Sequence, residues 1–351
     1  MEIILPNNKK IGDKNPCFII AEAGVNHNGD KDMAMELVRV AARAGADAIK
    51  FQTFITENII LKNAPKAEYH IKTTGKDDEL SWYKLLKSQE ISPQLHKELI
   101  KECKKESILF MSTPYDYESV DLLCDLGISI LKVASTDANN IAYLQYMASK
   151  QIPIILSTAM CELREVKKSV EAIKEINEQL VLLQCTGNYP APLSDANLLS
   201  MSEMKNIFNV IVGYSDHVED DICAISAIAL GAKVYEKHFT LDQNLPGPDH
   251  NASIEPDTLC SLIEKIRKTE MSLGDGNKRV MNSEIVNRKK LRKYMIASKP
   301  IKKGDIFNSG NIAMKRTGGA GIVADKYYDV VGKVAKTDIS LEQPITMESI
   351  N

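Results

Sequence analysis

Two stretches decide the fold, Val210-Ile-Val-Gly-Tyr-Ser-Asp-His217 and Ala232-Lys-Val-Tyr-Glu-Lys-His-Phe-Thr240. Each is an apolar run that ends in polar residues and a histidine, and the two histidines lie 21 residues apart. Residues 222–230, between them, have the pattern of an amphipathic helix. A strand, a helix and a second strand in this order predict a parallel pair, with both imidazoles at one edge of the sheet.

The two histidines, His217 and His238, indicate a divalent-metal site with open positions, because neutral imidazole is a frequent ligand of such metals. Ser215, Asp216 and Glu236 are expected beside them. The alternative, that either histidine is only a structural residue at a strand end, stays open.

Similar apolar runs recur along most of the chain and alternate with helical patterns. Continuous rather than alternating apolar character is typical of parallel strands that are covered on their outer face. Eight such runs predict an α/β fold, a TIM (β/α)8 barrel. The interval 54–92 is too long for an ordinary connection, so we expect it to pass over the active-site face. The predicted strands are residues 17–23, 46–51, 108–112, 129–133, 153–157, 180–185, 209–213 and 233–237.

The pattern changes near Gly274, where loop residues are followed by a basic run at 287–293. Beyond it, short apolar runs and repeated turn signals predict a small β-rich domain. We therefore predict a barrel domain over residues 1–275, a linker over 276–293 and the small domain over 294–351.

The composition of the chain limits the classes of function that it can have. The chain has 351 residues, 44% hydrophobic and 26% charged, with a formal net charge of −3. This balance is typical of a globular protein and argues against general nucleic-acid binding. No apolar stretch approaches the length of a membrane span, and the N-terminus lacks the apolar core of a signal peptide. Seven scattered cysteines are typical of reduced thiols, so we expect a cytoplasmic protein without nucleic-acid or membrane partners.

Polar residues stand where each predicted strand ends, which is where the active sites of TIM barrels lie. Two lysines and several hydroxyls at one mouth indicate a phosphate or phospho-carboxylate substrate. The metal would polarise a carbonyl, and Glu22 could move protons. The candidate residues are Glu22, Lys50, Gln52, Thr113, Lys132, Ser135, Ser157, Asn188, Tyr189, Ser215, His217, Glu236 and His238.

Two other interpretations stay open at this point. Lys50 or Lys132 could form a Schiff base in a metal-free aldolase. A non-catalytic protein with a carbohydrate- or ice-binding C-terminal segment is the third interpretation. Among the other histidines, His70 and His96 lie in charged segments and are expected to be solvated. For His27 and His250, a ligand contact and a supporting hydrogen bond remain equally open.

Most of the candidate residues fall within eight short motifs. The motifs are Ile20-Ala-Glu-Ala-Gly-Val-Asn-His-Asn-Gly29, Lys50-Phe-Gln-Thr-Phe54, Ser112-Thr-Pro114, Ser157-Thr-Ala-Met160, Gly213-Tyr-Ser-Asp-His217, Glu236-Lys-His-Phe-Thr240, Gly247-Pro-Asp-His250 and Lys315-Arg316. With these motifs the chain resembles the bacterial sialic acid (nonulosonate) synthases over nearly its whole length. The resemblance implies a TIM barrel followed by a small antifreeze-like (SAF) domain, and a domain-swapped homodimer in which the small domain covers the partner's barrel mouth.

The resemblance implies that phosphoenolpyruvate condenses with the open-chain aldehyde of an N-acylated mannosamine-type sugar, with C–O cleavage and release of phosphate. The expected product is N-acetylneuraminate. The alternatives are N,N'-diacetyllegionaminate, made from 2,4-diacetamido-2,4,6-trideoxymannose, and pseudaminate.

Residue roles also follow from the resemblance. His217 and His238 would hold Mn2+ or Mg2+, and Glu22, Lys50, Lys132 and Glu236 would be catalytic. Phosphoenolpyruvate would bind to both lysines and to Thr113, Ser135, Ser157 and Ser215. The sugar would contact Gln52, Asn188, Tyr189 and Asp249, with Arg316 supplied by the other subunit. Asp137 stands where the N-acetylneuraminate branch has a Gly-Glu pair, a difference that concerns the acceptor sugar.

Overall fold

The chain divides into two compact units, Met1–Gly274 and Asp275–Asn351. The computed structural model describes residues 1–5, 9–66, 71, 73–76 and 80–351. Among the helices described, none is long and apolar enough to cross a membrane.

The first unit is a closed barrel of eight parallel strands, which confirms the predicted TIM barrel. Each strand pairs with the next along the chain, and the last strand closes the barrel against the first. The barrel strands are β3 (Phe18–Gly24), β4 (Ala48–Thr53), β5 (Leu109–Pro114), β6 (Leu131–Val133), β7 (Ile154–Ser157), β8 (Leu180–Cys185), β9 (Ile211–Asp216) and β10 (Val234–His238).

Helices cover the outer face of the barrel, as the continuous apolar strands require. The helices of this unit are α1 (Lys31–Ala44), α2 (Thr56–Ile59), α3 (Trp82–Gln89), α4 (Pro93–Lys105), α5 (Tyr117–Asp125), α6 (Ile141–Ser149), α7 (Leu163–Lys174), α8 (Ser200–Phe208), α9 (Ile222–Ala229) and α10 (Pro256–Leu273).

Helix α1 shows how local sequence sets these boundaries. The Asp30 side chain accepts a hydrogen bond from the Met33 N–H at 2.8 Å and caps the first turn. Gly45 ends the helix in the left-handed conformation, at φ 85°. Between them, Leu37, Val38 and Ala41 form a buried stripe against the barrel.

The interior of the barrel is apolar at the amino ends of the strands and polar at the carboxyl ends. Ile20, Ala48 and Met111 belong to an interior apolar cluster. A short antiparallel pair that the sequence analysis did not predict, β1 (Glu2–Ile4) and β2 (Lys10–Gly12), contributes Ile3 and Ile11 to the same cluster. The side chains that reach the cavity therefore come from the carboxyl ends.

The second unit has its own apolar core around Met295, Ile301 and Phe307. Its two strands, β11 (Lys293–Ala297) and β12 (Ile312–Arg316), are antiparallel, and isolated bridges join the remaining extended segments. The unit also contains α11 (Ile285–Leu291) and α12 (Tyr327–Val330). Helix α11 lies inside the segment 276–293 that was predicted to be a linker, so part of that segment is helical.

Candidate active site

A cavity of about 1070 Å³ opens at the carboxyl ends of the barrel strands. Side chains alternate along a strand, so β9 and its end send Ser215 and His217 into the cavity, and β10 sends Glu236 and His238. Of the fifteen predicted catalytic, substrate-binding and metal-binding residues of the first unit, fourteen line this cavity, and Asn188 is the exception.

The residues that line it are Glu22, Lys50, Gln52, Thr113, Lys132, Ser135, Asp137, Ser157, Tyr189, Ser215, His217, Glu236, His238 and Asp249.

Two lysines and two glutamates form a buried charged cluster at the floor of this cavity. Lys50 Nζ lies 2.8 Å from a carboxylate oxygen of Glu22 and 3.8 Å from Glu236. Lys132 Nζ lies 3.8 Å from the other oxygen of Glu236. Each of the four side chains is at least 95% buried, so the charges interact with little screening by water.

Hydroxyl groups complete the polar floor. Lys50 donates to Thr113 Oγ1 at 3.0 Å, and Lys132 donates to Ser157 Oγ at 2.8 Å. Ser215 donates to Glu236 at 3.0 Å. Ammonium groups and hydroxyl donors that converge in this way can bind a phosphate or carboxylate group.

The two carboxyl groups have pKa values displaced in opposite directions. Burial raises the pKa of Glu22 to about 7, and Glu236 adds to the rise while Lys50 opposes it. Burial would also raise the pKa of Glu236, but Lys132 and Lys50 outweigh burial and hold it below its ordinary value. A pair of carboxyl groups separated in this way can divide the work of proton transfer and charge stabilisation.

The pKa values of the two lysines are also displaced in opposite directions. Burial alone would lower the pKa of Lys50, but the carboxylates of Glu22 and Glu236 outweigh it and raise the pKa. For Lys132, burial dominates and lowers the pKa. Lys50 therefore stays charged beside the carboxyl groups of Glu22 and Glu236. The charged form of Lys132 is less stabilised by its surroundings.

His217 and His238 lie side by side, with their ring centroids 5.5 Å apart. Burial lowers the pKa of His217 to about 4 and that of His238 well below its ordinary value, so both imidazoles are neutral. His217 Nδ1 is 2.6 Å from the carbonyl oxygen of Thr186. This contact makes Nδ1 the donor and leaves Nε2 as the basic nitrogen, an arrangement usual for a metal-binding histidine.

The donor set fits a divalent ion that takes its remaining ligands from outside the protein. His238 Nδ1 is buried and has no hydrogen-bond partner among the described residues. Within the same part of the chain, no group of three His, Cys, Asp or Glu side chains is arranged to hold a metal. The predicted metal site at His217 and His238 therefore stays a prediction.

Asp216 does not join this set, which corrects the expectation that it lies beside the histidines in the site. Strand alternation turns Asp216 away from the cavity, where it accepts from the Tyr235 hydroxyl at 2.7 Å and from the Val218 N–H at 2.9 Å. Lys237 Nζ lies 3.3 Å from Asp216 and also donates to the Val218 carbonyl oxygen. This buried cluster, Asp216, Tyr235 and Lys237, anchors the backbone on both sides of His217.

Two of the residues expected to contact the sugar, Gln52 and Asp249, lie close to Glu22. A Cβ added at Gly24, which has φ +53°, would lie 3.3 Å from Glu22, 3.5 Å from Gln52 and 3.7 Å from Asp249, so these three side chains surround one space. Burial raises the pKa of Asp249 to about 6. It also raises the pKa of Asp137.

Three further predicted residues are Tyr189 and Asn188 in the first unit and Arg316 in the second unit. The Tyr189 ring packs on His217, with centroids 4.0 Å apart. Asn188 is exposed and does not line the cavity, because the chain turns its side chain outward between Gly187 and Tyr189. Arg316 is an exposed residue at the end of β12 in the second unit.

The described parts of the long interval 54–92 supply a wall of the cavity whose residues the sequence analysis did not assign. Most of this wall is apolar, and Gln89 is its buried polar member. The spacing of its helical part is the only signal in the sequence that could have found it. The wall residues that line the cavity are Phe54, Asn58, Ile59, Ile60, Leu61, Ala64, Trp82, Leu85, Leu86 and Gln89.

The remaining histidines differ in part from expectation. His96 was expected to be solvated, but it is fully buried, and its Nε2 lies 2.8 Å from Thr53 Oγ1. The charged residues of its helix point outward, and His96 lies on the buried face. His27 and His250 are buried and contact Gly29 N–H and Thr240 Oγ1, respectively. His70 lies outside the described residues.

A parallel eight-stranded barrel with a buried, mixed-charge cavity at the carboxyl ends of its strands defines the class of protein, a TIM-barrel enzyme. The chain belongs to the NeuB family, whose model matches residues 37–278, and residues 292–351 match the SAF domain.

Named relatives are similar over nearly their whole length. The N,N'-diacetyllegionaminic acid synthase of Campylobacter jejuni is 45% identical, over 91% of this chain and 95% of the relative. The enzyme of the same name from Legionella pneumophila is 39% identical, over 97% of each chain. The crystal structure of an N-acetylneuraminic acid synthetase from Leptospira borgpetersenii has a TM-score of 0.71 and 34% identity, over 81% of this chain and 94% of that one. These similarities confirm the resemblance to nonulosonate synthases and the predicted enzyme class.

Proposed function

We propose that the protein condenses phosphoenolpyruvate with the open-chain aldehyde of 2,4-diacetamido-2,4,6-trideoxymannose, forming N,N'-diacetyllegionaminate and releasing phosphate. The observation that carries the reaction is the convergence of two lysines, two glutamates and two neutral histidines in one cavity. The acceptor rests on similarity, since the relatives at 45% and 39% identity are diacetyllegionaminic acid synthases. N-acetylneuraminate, the product expected from the sequence, becomes the second candidate, supported by the 34% identical synthetase.

The chain's own residues account for binding of phosphoenolpyruvate. Lys50 and Lys132 bind its phosphate and carboxylate, and Thr113, Ser135, Ser157 and Ser215 supply neutral donors. The metal, Mn2+ or Mg2+, would be held by His217 and His238 and would polarise the aldehyde as a Lewis acid when bound.

Carbon–carbon bond formation leaves a positive charge that the glutamates are placed to stabilise. The enol carbon of phosphoenolpyruvate attacks the aldehyde carbon, and the former C2 becomes an oxocarbenium ion. The charged Glu236 stabilises that ion from the cavity floor. Water adds to the same carbon, and Glu22 takes up the proton that the water loses and passes it to the alkoxide oxygen left from the aldehyde. The hydroxyl group on the former C2 then gives its remaining proton to the departing phosphate as the C–O bond breaks, which leaves the keto group of the product. A carboxyl group with a pKa near 7 suits this transfer.

The sugar would contact Gln52, Asp137, Tyr189 and Asp249 at the mouth of the cavity. We propose that Arg316 comes from the other subunit of a homodimer with swapped C-terminal domains and binds an acyl group of the sugar. A guanidinium group presents several fixed donors and suits an amide oxygen.

The test is release of phosphate from phosphoenolpyruvate in the presence of Mn2+, with each of the two candidate sugars. We expect release that depends on a sugar and is faster with the diacetamido acceptor. Faster release with N-acetylmannosamine would make N-acetylneuraminate the product. No release with either sugar, from folded and metal-loaded protein, would contradict the proposed reaction. Trapping of a lysine by borohydride in the presence of pyruvate would instead support the Schiff-base alternative.

A further inference from the structure

The two sides of the cavity differ in chemistry. The strand ends supply the charged floor, whereas residues between Phe54 and Ala64 and between Trp82 and Gln89 supply a mostly apolar wall. Trp82, Leu85, Leu86 and Gln89 of α3 all line the cavity, and their spacing places them on one face of the helix. We call these four residues the α3 face.

The α3 face continues into a second apolar surface. Ile59, Ile60 and Leu61 line the cavity on the same segment of the chain. A sugar hydroxyl placed against these side chains would lose its water without gaining a hydrogen bond, which is unfavourable. A methyl group in the same place would be favoured, because burial of apolar surface stabilises the complex. This side of the cavity therefore fits the less hydroxylated part of a ligand.

One buried polar atom on this wall is left without a hydrogen-bond partner among the described residues. Asn58 donates its amide N–H to Glu118 at 3.2 Å. The amide oxygen of Gln89 is buried and has no hydrogen-bond partner among the described residues, although the residue lines the cavity and is only 2% exposed. Buried polar atoms are nearly always paired, so an unpaired amide oxygen at a cavity wall points to a donor on the ligand.

We propose that the α3 face recognises a second acylamino group of the acceptor sugar. The N–H of that group donates to Gln89, and the acyl methyl and a neighbouring deoxy methyl pack on Trp82, Leu85 and Leu86. This inference rests on the proposed condensation and adds the residues that select the acceptor. A sugar with hydroxyl groups in these places meets apolar side chains and leaves Gln89 without its N–H donor.

Gln89→Leu tests the hydrogen bond with a side chain of similar size. We expect kcat/KM for 2,4-diacetamido-2,4,6-trideoxymannose to fall about tenfold, and that for N-acetylmannosamine to change less than about threefold. The KM for phosphoenolpyruvate should stay within about twofold, because its site lies on the barrel strands. Since the change removes an unpaired buried oxygen, the thermal midpoint should not fall.

Leu86→Gln tests the apolar part of the face and keeps the proposal falsifiable if Gln89→Leu does not fold. It places hydrogen-bonding groups against the ligand, so the ratio of kcat/KM values should shift about tenfold toward N-acetylmannosamine. Lys84→Leu is the matched control, because Lys84 is exposed on the same helix and does not line the cavity. It should leave the ratio unchanged.

Three outcomes decide the matter. An unchanged sugar ratio in both variants, or an equal loss with both sugars, would overturn the role of the α3 face while wild-type activity upholds the proposed function. Wild-type protein that uses neither sugar would overturn both. A shift of the ratio in the expected direction, absent from Lys84→Leu, supports the assignment.

Discussion

Glu22 and Glu236 lie on the first and last strands of the barrel, and their surroundings give them different roles. Glu236 is held charged by two lysines, whereas burial raises the pKa of Glu22 to about 7, so its carboxyl group exchanges a proton near neutral pH. The sequence shows two glutamates at strand ends but not which lysine lies near which carboxylate. That information comes from the closed barrel, in which Lys50 reaches both.

The histidine pair leads to the first prediction. His217→Ala and His238→Ala should each lower turnover at least about a hundredfold, because the proposed metal would supply several kcal/mol of charge stabilisation. Both variants should stay folded, since the imidazoles are at the cavity rather than in the apolar core. Mn2+ binding, measured by calorimetry, should be lost together with phosphate release. Full activity of the wild type in chelator would show that these residues do not act through a metal.

Asp249 leads to a prediction about stability and pH. Its pKa is raised to about 6 in the folded protein from an ordinary value of 3.8, so the folded state holds the proton more tightly than the unfolded state. The stabilisation is complete below about pH 4 and is lost as the pH rises through 6. Relative to Asp249→Asn, the wild type should therefore lose up to about 3 kcal/mol of unfolding free energy between pH 4 and pH 7.

Urea denaturation of both proteins at pH 4, 5, 6 and 7 measures this difference. Glu255→Gln, which removes a carboxylate close in sequence to Asp249, serves as the comparison. A constant difference between wild type and Asp249→Asn across that range would show that the carboxyl group ionises normally.

At the scale of elements, successive side chains of β9 and β10 point to opposite faces of the sheet. Ser215, His217, Glu236 and His238 face the cavity, and Asp216 and Lys237 face the helices. The Asp216–Lys237 pair joins neighbouring strands, since the two residues are aligned in the register of the sheet. It lies directly behind the histidines and holds the turn after β9.

Breaking this pair should weaken both the fold and the site. Lys237→Met leaves Asp216 buried without its cation, so we expect a loss of about 3 kcal/mol in unfolding free energy. Because Lys237 and Asp216 both bind Val218 next to His217, the Kd for Mn2+ should rise as well. Lys268→Met, which removes an exposed ion pair with Glu264, is the control and should cost less than about 1 kcal/mol. A loss of stability with unchanged Mn2+ affinity would limit the pair to a structural role.

The elements of the barrel could be predicted because long apolar runs and helical spacing agree with each other. The observed strands lie within about three residues of the predicted ones. The pair β1–β2 was not predicted because each strand has only three residues, too few to show a pattern. The prediction that His96 is solvated was wrong because a charged helix still has one buried face. Asn188 was misplaced because nothing in the sequence shows which way a loop side chain turns.

The wall formed by the interval 54–92 could be predicted only as a segment. Its length indicates an excursion over the active site, and the helical spacing of α3 indicates a face. Neither says that the face is turned toward the cavity, or that the amide oxygen of Gln89 is left without a partner. Those facts depend on contacts between distant parts of the chain.

At the scale of the whole molecule, the proposed exchange of C-terminal domains makes Arg316 a residue of the partner's site. Arg316→Ala should raise the KM for the sugar more than that for phosphoenolpyruvate, because the guanidinium group binds the sugar alone. Steady-state kinetics with each substrate varied in turn measures the two effects. Equal effects on both substrates would argue against this role.

Mixed dimers test whether Arg316 acts across the subunit boundary. A dimer of one Arg316→Ala chain and one Glu22→Ala chain would contain one intact site and one doubly damaged site. Activity should therefore recover to about half of the wild-type value per mixed dimer, although each variant alone is impaired. Tagged subunits, with exchange verified, provide the measurement. No recovery would show that Arg316 belongs to the site of its own chain.

Closure of the barrel has a consequence for the order in which the enzyme becomes competent during synthesis. In the register of β3 and β10, Glu22 lies opposite His238, although nearly the whole barrel sequence separates them. A nascent chain that has not yet released β10 from the ribosome has the lysines but neither His238 nor Glu236. Such a chain could bind an anion weakly but could not bring together the histidine pair and the glutamate pair, to which the proposed function assigns metal binding and proton transfer. The enzyme therefore becomes competent only after its last barrel strand has been made and inserted.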